Sequence, residues 1–240
     1  MTYLLEVIAE GIDKIIVWMP ALLLAAQITL LLTVFSVCTA LVLGVFLALG
    51  KISKYAIIRK PCTAYIFFFR GIPLLILLLI VYFGLPLIDP IFDVGNLPFA
   101  DTRGYLTNPR FIAAYIAFSL NIAAYLAEII RAAIESIDKG QMEASRSLGL
   151  TYGQSMKLVI IPQSYRRMIP PICNEFVMVL KDTALVSIIA LNDLAHQMKM
   201  IMSNSASALV ILPSCIIYLF LTWLFTAVFA RLEKRFSVYE

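Results

Sequence analysis

The chain has 240 residues, 62% of them hydrophobic and 14% charged, with a net charge of +4 and a mean hydropathy of +0.93. A soluble domain is about 45–50% apolar and about 25% charged, and one of this size has too little interior to hide the excess. The composition excludes a soluble enzyme, a secreted domain and a disordered regulator, and it predicts an integral membrane protein.

The opening residues carry Glu6, Glu10 and Asp13 where a signal peptide would be basic, so no cleavable signal is expected. Lys14 and Lys51 then bracket an uncharged stretch, Ile15 to Gly50. About 20 helical residues cross a bilayer core, which places the first span at about 20–49. Segment 61–69 is short and aromatic and leads into Arg70-Gly71-Ile72-Pro73. Gly and Pro break a helix there and Pro73 suits the first turn of a new one, so an interfacial helix precedes a second span at 71–88. The stretch 86–108 is rich in Pro, Gly, Asn and Asp and reads as an irregular outer loop.

The third span, 109–134, contains Asn121 and Glu128, with Arg131 placed to pair with Glu128 at i, i+3. Its Ala113, Ala117, Ala124 and Ala127 form a small-residue face suited to close helix packing. A fourth span, 170–190, carries Glu175, Lys181, Asp182 and Thr183, and a fifth covers 205–230. Basic residues fall fourteen on the side of 51–70, 131–167 and the tail, against four on the other. That bias predicts an external N-terminus and a cytoplasmic C-terminus. The expected fold is all-α with five transmembrane helices in one domain over 1–240. These spans and their loops are expected to fill nearly all 240 residues, with no attached nucleotidase or solute-binding domain expected.

Segment 136–167 is too polar to span and too patterned to be a plain loop. Residues 143–148 favour helix, Gly149 suits a left-handed helix end, and Thr151 suits the cap of a second helix, 152–160, which Pro162 is expected to stop. Met156, Leu158, Val159 and Ile160 would hold this pair at the membrane surface. Glu143-Ala144-Ser145, Gly149 six residues after the glutamate, and Val159, Ile161 and Pro162 resemble the EAA loop of permease subunits of bacterial ABC importers. Ser145 stands for alanine, Val159 for isoleucine and Ile161 for leucine. Gly140-Gln141, Arg70-Gly71-Ile72-Pro73 and the block Leu180 to Ser187 resemble the polar-amino-acid branch, with Ile72 replacing a threonine.

The resemblance implies a type I importer permease. The segment between the third and fourth helices would be its coupling helix, with Glu143, Ala144, Ser145, Gly149 and Pro162 meeting a separate ATPase. It implies ABC ATPase subunits that bind the ATP and Mg, no cofactor in this chain, and a solute-binding protein that delivers a polar amino acid. A second permease, identical or a sister chain, would complete the pore in the bacterial plasma membrane, with lipid around it and no nucleic acid.

Ionisable residues inside a span are costly, so Lys181, Asp182, Thr183 and Glu175 are candidates for the translocation pathway. An intersubunit or gating ion pair is the alternative reading of Lys181 and Asp182, and hydrogen-bonded helix packing that of Glu175. The competing function is an ion-coupled secondary transporter using Glu175, Lys181 and Asp182, but no internal repeat supports it. A membrane-embedded enzyme is disfavoured because His196 is the sole histidine and no metal or nucleophile constellation is present. Residues 44–52 match a phosphate loop poorly, with one residue too many between the glycines and no Ser or Thr after Lys51. Cys38, Cys62, Cys173 and Cys215 are expected to be buried small hydrophobes.

Overall fold

The structure, a computed structural model, describes residues 2–88 and 108–237. Most of the loop expected at 86–108 lies outside those residues. Every regular element among them is helical.

Helix α1, Thr2–Ile52, is continuous and starts well before the expected span. Its early turns carry good helix formers and a Glu10–Lys14 pair at i, i+4 (2.6 Å). Helix α2, Ala56–Gly71, begins before Pro61 and encloses it. Helix α3, Leu74–Ile88, follows at 104° to α2. Pro73 forces the residue before it out of the helical region, and Ile72 is extended (φ −96°, ψ 129°). The break expected at Gly71 to Pro73 is therefore present.

Helix α4, Pro109–Glu135, matches the third expected span. After α5, Lys139–Ser147, and α6, Tyr152–Ser155, the chain makes a π-helical turn, Met156–Ile160. It runs without interruption into α7, Ile161–Asp182. Pro162 thus does not stop the second short helix. It sits in the first turn of α7, where a missing N–H is tolerated, directly behind a wide turn in which Ile161 donates to Met156. Pro170, expected to start the fourth span, lies inside α7 together with Pro171. A 3₁₀ segment, Thr183–Ile189, precedes α8, Leu194–Ser205, and α9, Ile211–Ser237.

Among the described residues, three helical stretches are long and apolar enough to cross a membrane: Glu10–Ile52, Pro109–Glu135 and Ala208–Arg235. The bent α2–α3 pair makes a fourth if it counts as one span. The α7 region is not among them, since Arg166, Arg167, Glu175, Lys181 and Asp182 interrupt its apolar face.

Contacts divide the chain into two compact units. One comprises Met1–Phe35, Leu75–Ala117 and Val179–Leu224. Its core holds Leu22, Leu32, Leu78, Ala113, Ala117, Leu180, Val186 and Leu194, all buried. The other comprises Ser36–Leu74, Phe118–Met178 and Phe225–Glu240. Ala48, Ile66, Ala127, Ile130, Ile160 and Met168 form one cluster of its core. The four alanines of the expected small face are all fully buried or nearly so.

The cysteines correct an expectation. All four are free, yet only Cys173 is buried, while Cys38 and Cys215 are exposed. They lie on helix faces that also expose Phe35, Leu41, Leu212 and Leu219, so apolarity here marks an outward face rather than the interior of this chain.

Gly44 explains how α1 approaches α4. A Cβ there would lie 3.0 Å from the Leu126 Cβ and 3.3 Å from the Ala123 carbonyl oxygen. Gly44→Val is expected to destabilise the protein by about 1–3 kcal/mol through overpacking. Gly44→Ala should do less. Thermal unfolding in detergent measures both, and a wild-type melting temperature for Gly44→Val would contradict the packing described.

Candidate functional site

The segment between α4 and α7 is an elbow built from ordinary capping chemistry. Asp138 caps α5 by accepting from the Gly140 N–H (2.6 Å). Gly149 takes φ +87°, a region that disfavours side-chain-bearing residues. Its N–H donates to Arg146 and that of Leu150 to Ser145, which closes the helix end. Thr151 then caps α6 in a reciprocal capping box with Gln154. The expected helix, glycine turn, cap and second helix are all present.

The residues of the motif divide by exposure. Glu143, Ala144, Gly149 and Pro162 face outward, with Leu148 and Tyr152 beside them. The Glu143 carboxylate has no ion-pair partner among the described residues. Ser145 is buried and its hydroxyl donates to the Met142 carbonyl (2.8 Å). Met142, Met156 and Val159 pack against the cluster that contains Ile160. Leu158 points outward and is 61% exposed, as a side chain that meets a membrane surface would be. The base of α7 is clipped back: Arg167 donates to the Ser136 carbonyl and to its hydroxyl (3.0 Å), and Gln163 to Gln141 (3.3 Å).

The polar break in the fourth expected span is also present, as a change from α-helix to 3₁₀-helix between Asp182 and Thr183. Lys181 and Asp182 are exposed, while Thr183 is fully buried with its hydroxyl donating to Leu180 (2.8 Å). Of the four candidates, only Lys181, Asp182 and Thr183 lie together at the break. Glu175 is partly buried two helical turns earlier on α7. The 3₁₀ segment ends at Ala190 in the left-handed region (φ 53°).

Residues 40–238 match the family described as the inner membrane component of binding-protein-dependent transport systems. The chain belongs to this family. It is 37% identical over 219 residues to the arginine transport system permease protein ArtQ of Bacillus subtilis (strain 168), covering 90% of this chain and 92% of that one. It is 39% identical over 181 residues to the glutamate/aspartate import permease protein GltK of Escherichia coli O157:H7, covering 75% and 77%. The fold resembles a chain in the crystal structure of an amino acid ABC transporter with histidines, with 34% identity, a TM-score of 0.78 and 92% and 97% coverage.

Two polar centres in the permease escaped the sequence. Glu128 does pair with Arg131 as the spacing suggests (2.7 Å), but it also receives Lys51 from α1, with Arg70 of α2 at 4.0 Å. No local pattern connects Lys51 to a residue 77 positions away. The second centre is Asp193, fully buried, which caps α8 by accepting from His196 (2.9 Å) and Ala195 (3.2 Å). Asn192-Asp193 before an apolar residue is a cap signature that would have found it. Nearby, the Thr29 hydroxyl accepts from Leu194, Lys199 donates to Ser187 (2.7 Å), and Arg110 donates to the Ala190 carbonyl (3.4 Å).

Burial pushes the Asp193 carboxyl up to about 6, while the backbone N–H groups of His196 and Ala195 and the charge of Lys199 act against it. Its folded form keeps the proton to a higher pH than an unfolded carboxyl would. The stability it contributes is complete below about 4 and is lost as pH rises through about 6. Asp193→Asn keeps a capping oxygen without the titration. Melting temperatures measured between pH 4 and 7 should fall less steeply for this variant than for wild type, and parallel curves would contradict the assignment.

Proposed function

We propose that this chain is the membrane-spanning permease of an ABC importer for a polar amino acid, driven by ATP hydrolysed on separate ATPase subunits. The observation that carries the reading is the exposed, doubly capped elbow of α5 and α6, on a chain of this family. Relatives that handle arginine and glutamate or aspartate support an amino acid as the substrate class.

In this reading α5 and α6 dock in a groove of the ATPase. Glu143 offers the partner a carboxylate and Leu148 and Tyr152 offer apolar surface. Gly149 sets the angle between the helices, and Pro162 directs the second helix into α7 without a loop. Movement of the ATPase then reaches α7 directly, because α6, the π turn and α7 form one continuous rod. The chain crosses the membrane five times with its N-terminus outside, α7 with the following 3₁₀ segment making the fourth crossing. A crossing that contains Lys181 and Asp182 tolerates them only beside water or a partner, which supports a position for both along the translocation path. A second permease closes that path, and a solute-binding protein loads it.

Gly149→Val tests the elbow. A β-branched residue at positive φ is disfavoured by about 1–2 kcal/mol or more. A Cβ at Gly149 meets nothing within 4 Å, so any effect comes from the backbone alone. Transport and co-purification of the ATPase should both fall for Gly149→Val at normal membrane levels, and less for Glu143→Ala. Wild-type behaviour of Gly149→Val would remove the elbow as the coupling element. For the pathway, Lys181→Ala and Asp182→Ala should each reduce uptake in proteoliposomes with ATPase binding intact. Normal uptake by both would place them outside the path.

A further inference from the structure

We infer that the cleft between α1, α2 and α4 binds the phosphate of an anionic phospholipid. The cleft has a volume of about 410 Å³ and is lined by Lys51, Thr63, Ile66, Phe67, Arg70 and Tyr125, with Gly71 at its edge. Three observations lead to this occupant.

The first is charge. Lys51, Arg70 and Arg131 gather around Glu128, and Arg131 also pairs with Glu135, so the group carries one cation in excess. The Lys51 ammonium has three donors and gives one to Glu128. Arg70 stands 4.0 Å from Glu128, too far for a hydrogen bond, and stacks over the Tyr125 ring at 5.2 Å. Its guanidinium fork remains free to meet two oxygens of one phosphate, the geometry in which arginine binds such groups best.

The second is depth. Glu128 follows Pro109 by nineteen residues of unbroken helix, about 29 Å at the helical rise. The hydrocarbon core is about 30 Å thick, so with Pro109 at one boundary the cleft lies at the opposite headgroup level. The third is the character of α2. It exposes Ile57, Ile58, Phe67 and Phe68 and carries Arg59, Lys60 and Arg70. Exposed apolar side chains beside basic ones suit a helix bathed in acyl chains and headgroups. Phe67, 80% exposed at the cleft, would lie against an acyl chain while Lys51 and Arg70 hold the phosphate.

The test uses the full-length chain in neutral detergent, titrated with phosphatidylglycerol or phosphatidylcholine of identical acyl chains and read by native mass spectrometry. Phosphatidylglycerol should bind more tightly by about five-fold, the equivalent of one basic side chain near an anionic surface. Arg70→Gln should abolish that preference, and Arg235→Gln, which removes the same charge from the exposed end of α9, should keep it. Thr63→Glu places a carboxylate at an exposed position of the cleft wall and should also abolish the preference, so the test stands if Arg70→Gln does not insert. Equal affinity for the two lipids overturns the inference, as does a preference retained by Arg70→Gln or Thr63→Glu. Displacement of the lipid by equimolar inorganic phosphate would identify a soluble anion instead and overturn it too. So would self-association of the chain that shuts lipid out of the cleft.

Discussion

The arrangement of α1, α2 and α4 depends on one carboxylate. Glu128 lies on a largely apolar helix, and a lone charge there would be too costly to keep. Lys51 and Arg131 neutralise it from two helices, and Arg70 approaches from a third. Removing Glu128 would leave the part-buried Lys51 ammonium without its ion-pair partner, which costs more than the pair itself contributes. The node also fixes where α2 lies. Its far end is held by Asn121, whose amide donates to the Phe69 carbonyl (2.7 Å), and its middle by Tyr65, which donates to Leu120 (2.9 Å). These bonds reach α4 just before the chain breaks at Ile72, so the 104° turn into α3 starts from a fixed point.

Local chemistry was legible in the sequence, and long-range pairing was not. The Gly71 to Pro73 break, the positive φ at Gly149, the Thr151 cap and the Glu128–Arg131 pair each depend on residues within a few positions. The alanine face was legible because helical spacing alone brings Ala113, Ala117, Ala124 and Ala127 to one side. Pro162 and Pro170 misled for the opposite reason: proline usually ends a helix, but here a π turn and the fold around α7 accommodate it. The cysteines misled because apolar surroundings in a membrane protein do not distinguish inside from outside. Lys51 and Arg70 stayed hidden because only the folded chain brings three helices to one carboxylate.

The elbow and the polar break differ in what holds them. The elbow is set first by the backbone: two caps, one left-handed glycine and a closed helix end fix its angle. Ser145 and Ile160 provide the anchor, and Leu148 and Tyr152 stay exposed. The break is set by burial. Thr183, Val186, Ser187 and Ile189 are sequestered, and Arg110 and Lys199 satisfy polar groups at the far end of the 3₁₀ segment. A site fixed by backbone geometry keeps its shape when its surroundings move. One fixed by burial can be rearranged by whatever repacks it.

Pro170 and Pro171 give α7 an uneven stiffness. Two adjacent residues without an N–H leave the carbonyls of Arg166 and Arg167 without their usual helical donors. The rod is therefore weakest one turn above its clipped base, where Arg167 holds Ser136. Axial load still passes along the backbone, but sideways load is absorbed at the two missing rungs. Bending of α7 is therefore expected to concentrate at Pro170 and Pro171 rather than to spread along its length.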